Sequence, residues 1–290
     1  MSSITKHHPF LIATICSSKG GVGKTTLTAN LAALLSDMGL RLLIIDADKQ
    51  PSLSSYYPII ERSADGFVSL LMEHNLDTTI SKTSVGVDII INDDSEDTLS
   101  NWIIHTPDGR VRLKHILKLL KCRYDIILID TQGAIGPLQD VGVLAADFLI
   151  SPIIPETISA KEFARGTMAM FNRLRPMATM GAPLGNLNGI IYKKDRTQIS
   201  DLISQELKTL EYNPSLGSIR IMDTVVPALA AYTKAALEQV PVHRYERNRS
   251  GPTDSAWTTM HELIKELFPH LSGAIDRHLS ESAGGPGHGS

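Results

Sequence analysis

Cysteine is scarce: the chain has two in 290 residues, Cys16 and Cys122, each within an apolar stretch. So low a number excludes a disulfide framework and fits a reducing cytoplasm. Charge of one sign is lacking too. A net charge of -3 argues against a strongly basic nucleic-acid binder, although Ser151 to Ser250 carries 13 Lys and Arg against 9 Asp and Glu. No apolar run reaches the ~18 to 20 residues that a membrane-spanning helix needs, so any membrane contact is expected to be peripheral. The start, Met1 to Pro9, is polar, and the apolar run Phe10 to Cys16 is too short for a signal-peptide core. Repeats and dividing linkers are missing as well, and 42% hydrophobic with 20% charged residues is ordinary globular composition. One large α/β domain is therefore expected over residues 1–272.

What the chain does contain is a recurrence of apolar, β-branched runs: Phe10 to Cys16, Leu42 to Ile45, Val87 to Ile91, Ile126 to Ile129, Phe148 to Ile154 and Gly189 to Tyr192. Continuous apolarity of this kind suits strands buried on both faces. Between them, Thr25 to Met38, Val111 to Lys121, Ser159 to Leu174 and Ile199 to Leu207 show helical spacing. The alternation predicts an α/β fold with a doubly wound, mostly parallel sheet and helices on both faces, with ligands beyond the carboxyl ends of the strands. A final helix, Ser255 to Leu271, puts Trp257, Met260, Leu263, Ile264, Leu267 and Phe268 on one face. Its polar face holds His261, Glu262, Lys265 and Glu266 without a cationic surplus, which favours docking on the sheet over lying on a membrane. Asn92 to Arg110, polar apart from Trp102 to Ile104, reads as a surface excursion. The low-complexity tail, 273–290, reads as disordered.

The most informative segment is Ser17-Ser18-Lys19-Gly20-Gly21-Val22-Gly23-Lys24-Thr25-Thr26, between the first strand and a helix. A loop entering a helix N-terminus turns backbone N–H groups and the positive end of the helix dipole toward one point, which suits a polyphosphate. Glycines at 20, 21 and 23 let the backbone approach closely. Lys24 is placed to reach the β- and γ-phosphates, and the Thr25 hydroxyl to bind Mg²⁺. The usual leading glycine of the motif is Ser18 here, while Lys19 gives the lysine-first form K-G-G-x-G-K-T-T, in which a second cation approaches the phosphates.

Carboxylates stand where a Mg·ATP site needs them. Asp46 and Asp48 follow the second strand two residues apart, on one side of an extended chain. One is suited to assist the metal and the other to orient water. Asp130 closes the strand Ile126 to Ile129, where a Walker B carboxylate holds Mg²⁺ through a bound water. A loop lysine reaching a second subunit's γ-phosphate would act as an arginine finger does.

On these residues the chain resembles the ParA/MinD group of deviant Walker A ATPases, over about Phe10 to Phe268, and within it the ParA partition ATPases. The resemblance implies ATP and Mg²⁺ as cofactors, with Gly20, Gly21, Val22, Gly23, Lys24, Thr25 and Thr26 at the nucleotide and Thr25, Asp46 and Asp130 at the metal. It assigns Lys19 to contact nucleotide across an ATP-bound sandwich homodimer and Asp48 to support hydrolysis. Tyr124-Asp-Ile-Ile-Leu-Ile-Asp130-Thr131 is similar to the Walker B strand, Ile154-Pro155-Glu156 to the segment after the next strand, and Thr224-Val-Val-Pro227 to the late loop near adenine. Four residues depart from the family's pattern. Lys49 replaces a proline, Gln132-Gly133 replaces a proline pair, and Ala228 stands where an arginine is common. The loop begins so near the N-terminus that the helix-turn-helix of longer ParA proteins is not expected. The resemblance implies instead DNA binding without sequence preference, by Lys193, Lys194, Arg196, Arg244, Arg247 and Arg249, release through a ParB-like partner, and a nucleoid-associated location in the cytoplasm without stable membrane association. Two alternatives use the same loop: a MinD-like membrane-positioning ATPase and a small-molecule ligase.

Overall fold

A computed structural model describes residues 9–209 and 219–283. In chain order the elements are β1 (Leu11–Ile15), α1 (Lys24–Asp37), β2 (Leu42–Asp46), β3 (Ile59–Glu61), α2 (Phe67–Glu73), β4 (Ser81–Thr83), β5 (Asp88–Ile90), α3 (Thr98–His105), α4 (Arg112–Lys118), β6 (Ile126–Asp130) and α5 (Pro137–Ala145). They continue with β7 (Phe148–Ile153), α6 (Thr157–Leu174), β8 (Asn186–Lys194), α7 (Gln198–Thr209), β9 (Ile219–Ile221), β10 (Val226–Pro227), α8 (Ala230–Leu237), α9 (Val242–Tyr245), α10 (Ala256–Leu267) and α11 (Ser272–Ala283). The strands form one sheet in the order β10-β8-β7-β1-β6-β2-β5-β4-β3, with β9 also paired to β8. Among the described residues only the β3–β4 and β4–β5 pairs are antiparallel.

Successive residues of the central strands feed opposite cores, which is why these strands are apolar at nearly every position. Ala13, Leu42, Ile44, Ile126 and Leu128 face the layer of α1, α8, α9, α10 and α11. Ile12, Leu43, Ile45, Ile127 and Ile129 face α2 to α5, and further along that side Leu149, Ile153, Leu187 and Ile191 meet α6 and α7. Each such buried side chain contributes on the order of 2 kcal/mol. The rim loops are therefore carried by strands buried on both faces. Register brings the chemistry together at that rim: Ile15 pairs with Asp130 and Asp46 with Asp130. The strand ends are tied there by Ala47 N–H to the Asp130 carbonyl (2.9 Å) and Cys16 N–H to the Ile150 carbonyl (2.9 Å).

The expected docking of the last helix is what the structure has: Met260, Leu263, Ile264 and Phe268 are buried in the first core, and the Ser255 hydroxyl caps α10 by accepting from Thr258 N–H at 3.2 Å. Two expectations need correcting. The stretch 92–110 is not simply an excursion, because it contains α3: Leu99 and Ile103, four apart, are buried, and Asp94 accepts from the Thr98 and Leu99 amides at 2.8 and 3.0 Å. The tail does not begin at Gly273 either. The chain runs on as α11, with Ala274 and Ile275 buried and His278 stacked on Trp257. That docking face was hidden by the low-complexity residues beside it. Residues 284–290 lie outside the described residues.

Candidate nucleotide site

The loop after β1 folds as the motif predicts. Gly21 and Gly23 take positive φ, 74° and 98°, and α1 begins directly after Gly23. A Cβ on Gly23 would come 2.3 Å from Tyr192 Cε1, so position 23 is closed to other residues on both conformation and space. Val22 is buried, while Gly20 and Gly21 are exposed.

Lys24 is only 7% exposed. Its Nζ donates to the Lys19 carbonyl at 3.4 Å, and burial pulls its pKa down against the opposing pull of Asp130 and Asp48. A buried cation beside an exposed glycine loop suits an incoming anion. Lys19 is half-buried, and its N–H donates to Ser17 Oγ at 3.2 Å. The Thr25 hydroxyl accepts from Ser52 Oγ at 3.4 Å, and Thr26 Oγ1 lies 2.6 Å from the Tyr56 hydroxyl.

The two strand-end carboxylates are fully buried and next to each other. Burial, aided by their mutual repulsion, pushes Asp46 up to about 7. Asp130 also stands at about 7, raised by burial and held back by the Thr25 hydroxyl, Lys24 and Thr28. Thr28 Oγ1 donates to Asp130 Oδ1 at 3.4 Å, but Asp130 Oδ2 is buried with no hydrogen-bond partner. An orphaned carboxylate oxygen of this kind is costly unless a cation or a bound water completes it. The donor set fits Mg²⁺, a hard cation that takes oxygen ligands and retains water. Asp46 is differently occupied. Its Oδ1 accepts from Asp48 N–H at 3.2 Å and its Oδ2 from Leu53 N–H at 2.9 Å, so it holds the 48–53 loop where a metal ligand was expected. Asp48 is half-exposed above that loop and accepts from Gln50 N–H at 3.1 Å.

Three contacts beside the site were not assigned from the sequence. A Cβ on Gly133 would lie 2.6 Å from Gly20 Cα, so the segment after Asp130 rests directly on the phosphate loop, closer than a proline at 133 would allow. Gln139 of α5 donates to the Ser17 carbonyl at 2.9 Å. Beside Thr26 a cleft of about 320 Å³ opens between Tyr56, Lys193, Tyr232, Ala236 and Leu237. Pro227, expected near adenine, pairs with Lys194 one residue beyond this cleft.

The six cations expected on a DNA surface are divided. Lys193 lines the cleft, with φ 55°. Lys194 pairs with Asp201 at 2.5 Å, Arg249 with Glu246 at 2.8 Å, and Arg244 donates through Nε to Asp37 at 2.8 Å. Arg247 lies over the Trp257 ring at 4.6 Å, and Arg196 bonds Thr253, which brings the 193–196 and 247–253 segments side by side. Among the described residues no helix is long and apolar enough to cross a membrane.

The AAA domain family matches residues 11–177. An uncharacterised protein of Methanocaldococcus jannaschii is 26% identical over 270 residues, covering 88% of this chain and 98% of that protein. The chromosome-partitioning ATPase Soj of Treponema pallidum is 26% identical over 238 residues, covering 81% and 90%. Several other relatives are matched over only 52 to 57% of their own length. In fold the chain is similar to Cyanothece McdA solved as an ATP complex, with a TM-score of 0.68 at 19% identity, covering 98% of this chain and 100% of that one. With the matched family spanning the loop, both acidic strand ends and the central strands that carry them, the chain belongs to the AAA domain family of ParA-type P-loop ATPases.

Proposed function

We propose that this ATPase is a partition or positioning switch in which ATP pairs two subunits, the pair holds DNA without sequence preference, and a partner protein stimulates hydrolysis and release. The observation that carries the nucleotide half is the unpartnered, buried Asp130 Oδ2 beside Thr25 and Lys24 at the head of α1. Lys24 and the loop amides hold the triphosphate. Thr25, with Asp130 behind it, holds Mg²⁺, which when bound supplies charge neutralisation at the β- and γ-oxygens. Asp48 orients the attacking water, on a loop that Asp46 pins in place through Leu53 and Asp48 amides. Lys19 of each copy reaches the triphosphate of the other, so ATP completes a two-subunit site. The DNA half is supported by the adjacency of the 193–196 and 247–253 segments and by the similarity to a chromosome-partitioning ATPase.

Size-exclusion chromatography with ATP and Mg²⁺ tests the switch. The wild type is expected to dimerise with ATP and not with ADP. Lys19→Ala and Asp48→Ala are both expected to hydrolyse little ATP, with the ATP dimer persisting in Asp48→Ala. A chain that stays monomeric and takes up no ATP defeats the proposal; DNA retention that is the same with ATP, ADP or no nucleotide defeats its DNA half.

A further inference from the structure

The loop that carries Asp48 continues as a strap across the first turn of α1. Ser52 Oγ donates to Thr25 Oγ1 at 3.4 Å, the Tyr56 hydroxyl shares a 2.6 Å bond with Thr26 Oγ1, and the Tyr57 hydroxyl donates to the Ala29 carbonyl at 3.2 Å. On its outer side Gln239, just past α8, donates to the Ser55 carbonyl at 2.9 Å. The strap is thus fixed at both margins, and Tyr56 stands between them.

Tyr56 is half-buried, and with Tyr232 and Lys193 it walls the cleft of about 320 Å³ that opens beside the phosphate loop. Its lining includes the Thr26 hydroxyl, in the first turn of α1, and Lys193. From α8 it takes Tyr232, Ala236 and Leu237, the last 80% exposed. A space that combines a cation and a helix N-terminus with aromatic walls suits a ligand that has both an anionic part and a flat one. Burial pushes the Tyr56 phenol pKa up, so its hydroxyl stays neutral and able to bond Thr26.

We propose that Tyr56 determines nucleotide specificity: its ring is a wall against which the base of the nucleotide lies, and its hydroxyl fixes Thr26 at the phosphate end of the same ligand. This rests on the nucleotide reading above. Because Tyr56 belongs to the strap that begins at Asp48, a seated base also restrains the loop that orients water. Tyr56 is a specificity and positioning residue and takes no part in bond making.

Displacement of a fluorescent ATP analogue from the full chain in Mg²⁺, by ATP, CTP or tripolyphosphate, separates base recognition from phosphate binding. Wild type is expected to prefer ATP to CTP. Tyr56→Leu, which keeps bulk but removes the ring, is expected to lose about 10-fold of that preference, in the range of one base–aromatic stack. Its affinity for tripolyphosphate should fall no further than that of Tyr56→Phe, which loses the same hydroxyl bond to Thr26. Tyr56→Phe keeps the ring and should keep the preference. The assignment is overturned if Tyr56→Leu retains the preference, if it loses ATP and tripolyphosphate alike, or if Tyr56→Phe behaves as Tyr56→Leu does. A wild type that takes up tripolyphosphate and ATP without preferring ATP to CTP refutes Tyr56 alone; one that takes up neither refutes the nucleotide reading as well.

Discussion

Asp130 shows how a single buried carboxylate is both a cost and a site. Its folded pKa of about 7 lies above the ordinary aspartate value of 3.8, so the fold prefers the protonated form. The sign follows directly: the stability that this group contributes is fully present below about pH 4 and is lost as pH rises through 7. Asp130→Asn removes the charge that burial penalises. Without nucleotide, its melting temperature should match wild type at pH 4 and exceed it by at least about 4 °C at pH 8, a shift that corresponds to one or two kcal/mol or more in a chain of this size. The stabilisation that Mg·ATP gives wild type should disappear in the variant. A differential scanning fluorimetry series in pH, with and without Mg·ATP, checks both; a variant less stable than wild type at pH 8 contradicts the argument. Gly133 makes a second residue-level point. The departure from the family's proline pair is explained by space, since the segment after Asp130 lies on the Gly20 backbone with no room for a side chain.

At the scale of elements, the junction of α1, α9, α10 and α11 holds an aromatic and cationic stack around Trp257. Its ring centroid is 4.1 Å from that of His261 and 5.4 Å from that of His278, with Arg247 on its face. His243 Nε2 meets Asp37 Oδ2 at 2.8 Å, and Arg244 binds the same carboxylate. Burial would raise the Asp37 pKa, but the hydrogen bonds from Arg244 and His243 outweigh it and hold the carboxylate well below its usual range. Burial pushes His261 down to about 4 and lowers His243 too. A histidine with a depressed folded pKa destabilises the fold as pH falls from its unfolded value near 6.5 toward 4. Helix α11 should therefore loosen in that window. In a Trp102→Phe background, Trp257 emission is expected to shift as pH falls from 6.5 to 4.5, and His261→Phe to remove most of the shift. Emission that is flat over this range in both proteins would refute the assignment.

For the whole molecule, the question is where the positive charge is free to act. Arg244 is committed to Asp37 across the α1–α9 contact, whereas Arg196 lies at the surface against a neutral hydroxyl, Thr253. Arg196→Ala is therefore expected to weaken ATP-dependent DNA retention and to lower its salt slope by about one. Arg244→Ala is expected to lower the melting temperature while leaving DNA retention per folded molecule unchanged. Filter binding across a salt series, paired with thermal melts, separates the two; the reverse pattern would place the DNA surface around α9.

Much of this protein could be read from its sequence because the relevant signals are local. Strands apolar at nearly every position announce a covered parallel sheet, and the order strand, glycine loop, helix announces a phosphate site, since each depends only on residues adjacent in the chain. The short strands β3, β4, β9 and β10 and the helix α3 carried too few residues for a period to stand out, α11 was masked by the low-complexity residues beside it, and the existence of all of them rests on contacts with distant segments. The same holds for side-chain assignments. Asp46 and Asp130 were visible as strand ends, but only the packed sheet decided that loop amides occupy Asp46 while an oxygen of Asp130 is left bare, and only long-range contact placed Tyr56 against Thr26. Sequence determines which groups the chain possesses and how they repeat; which of them are buried, paired or left open is settled by which segments share the same desolvated space.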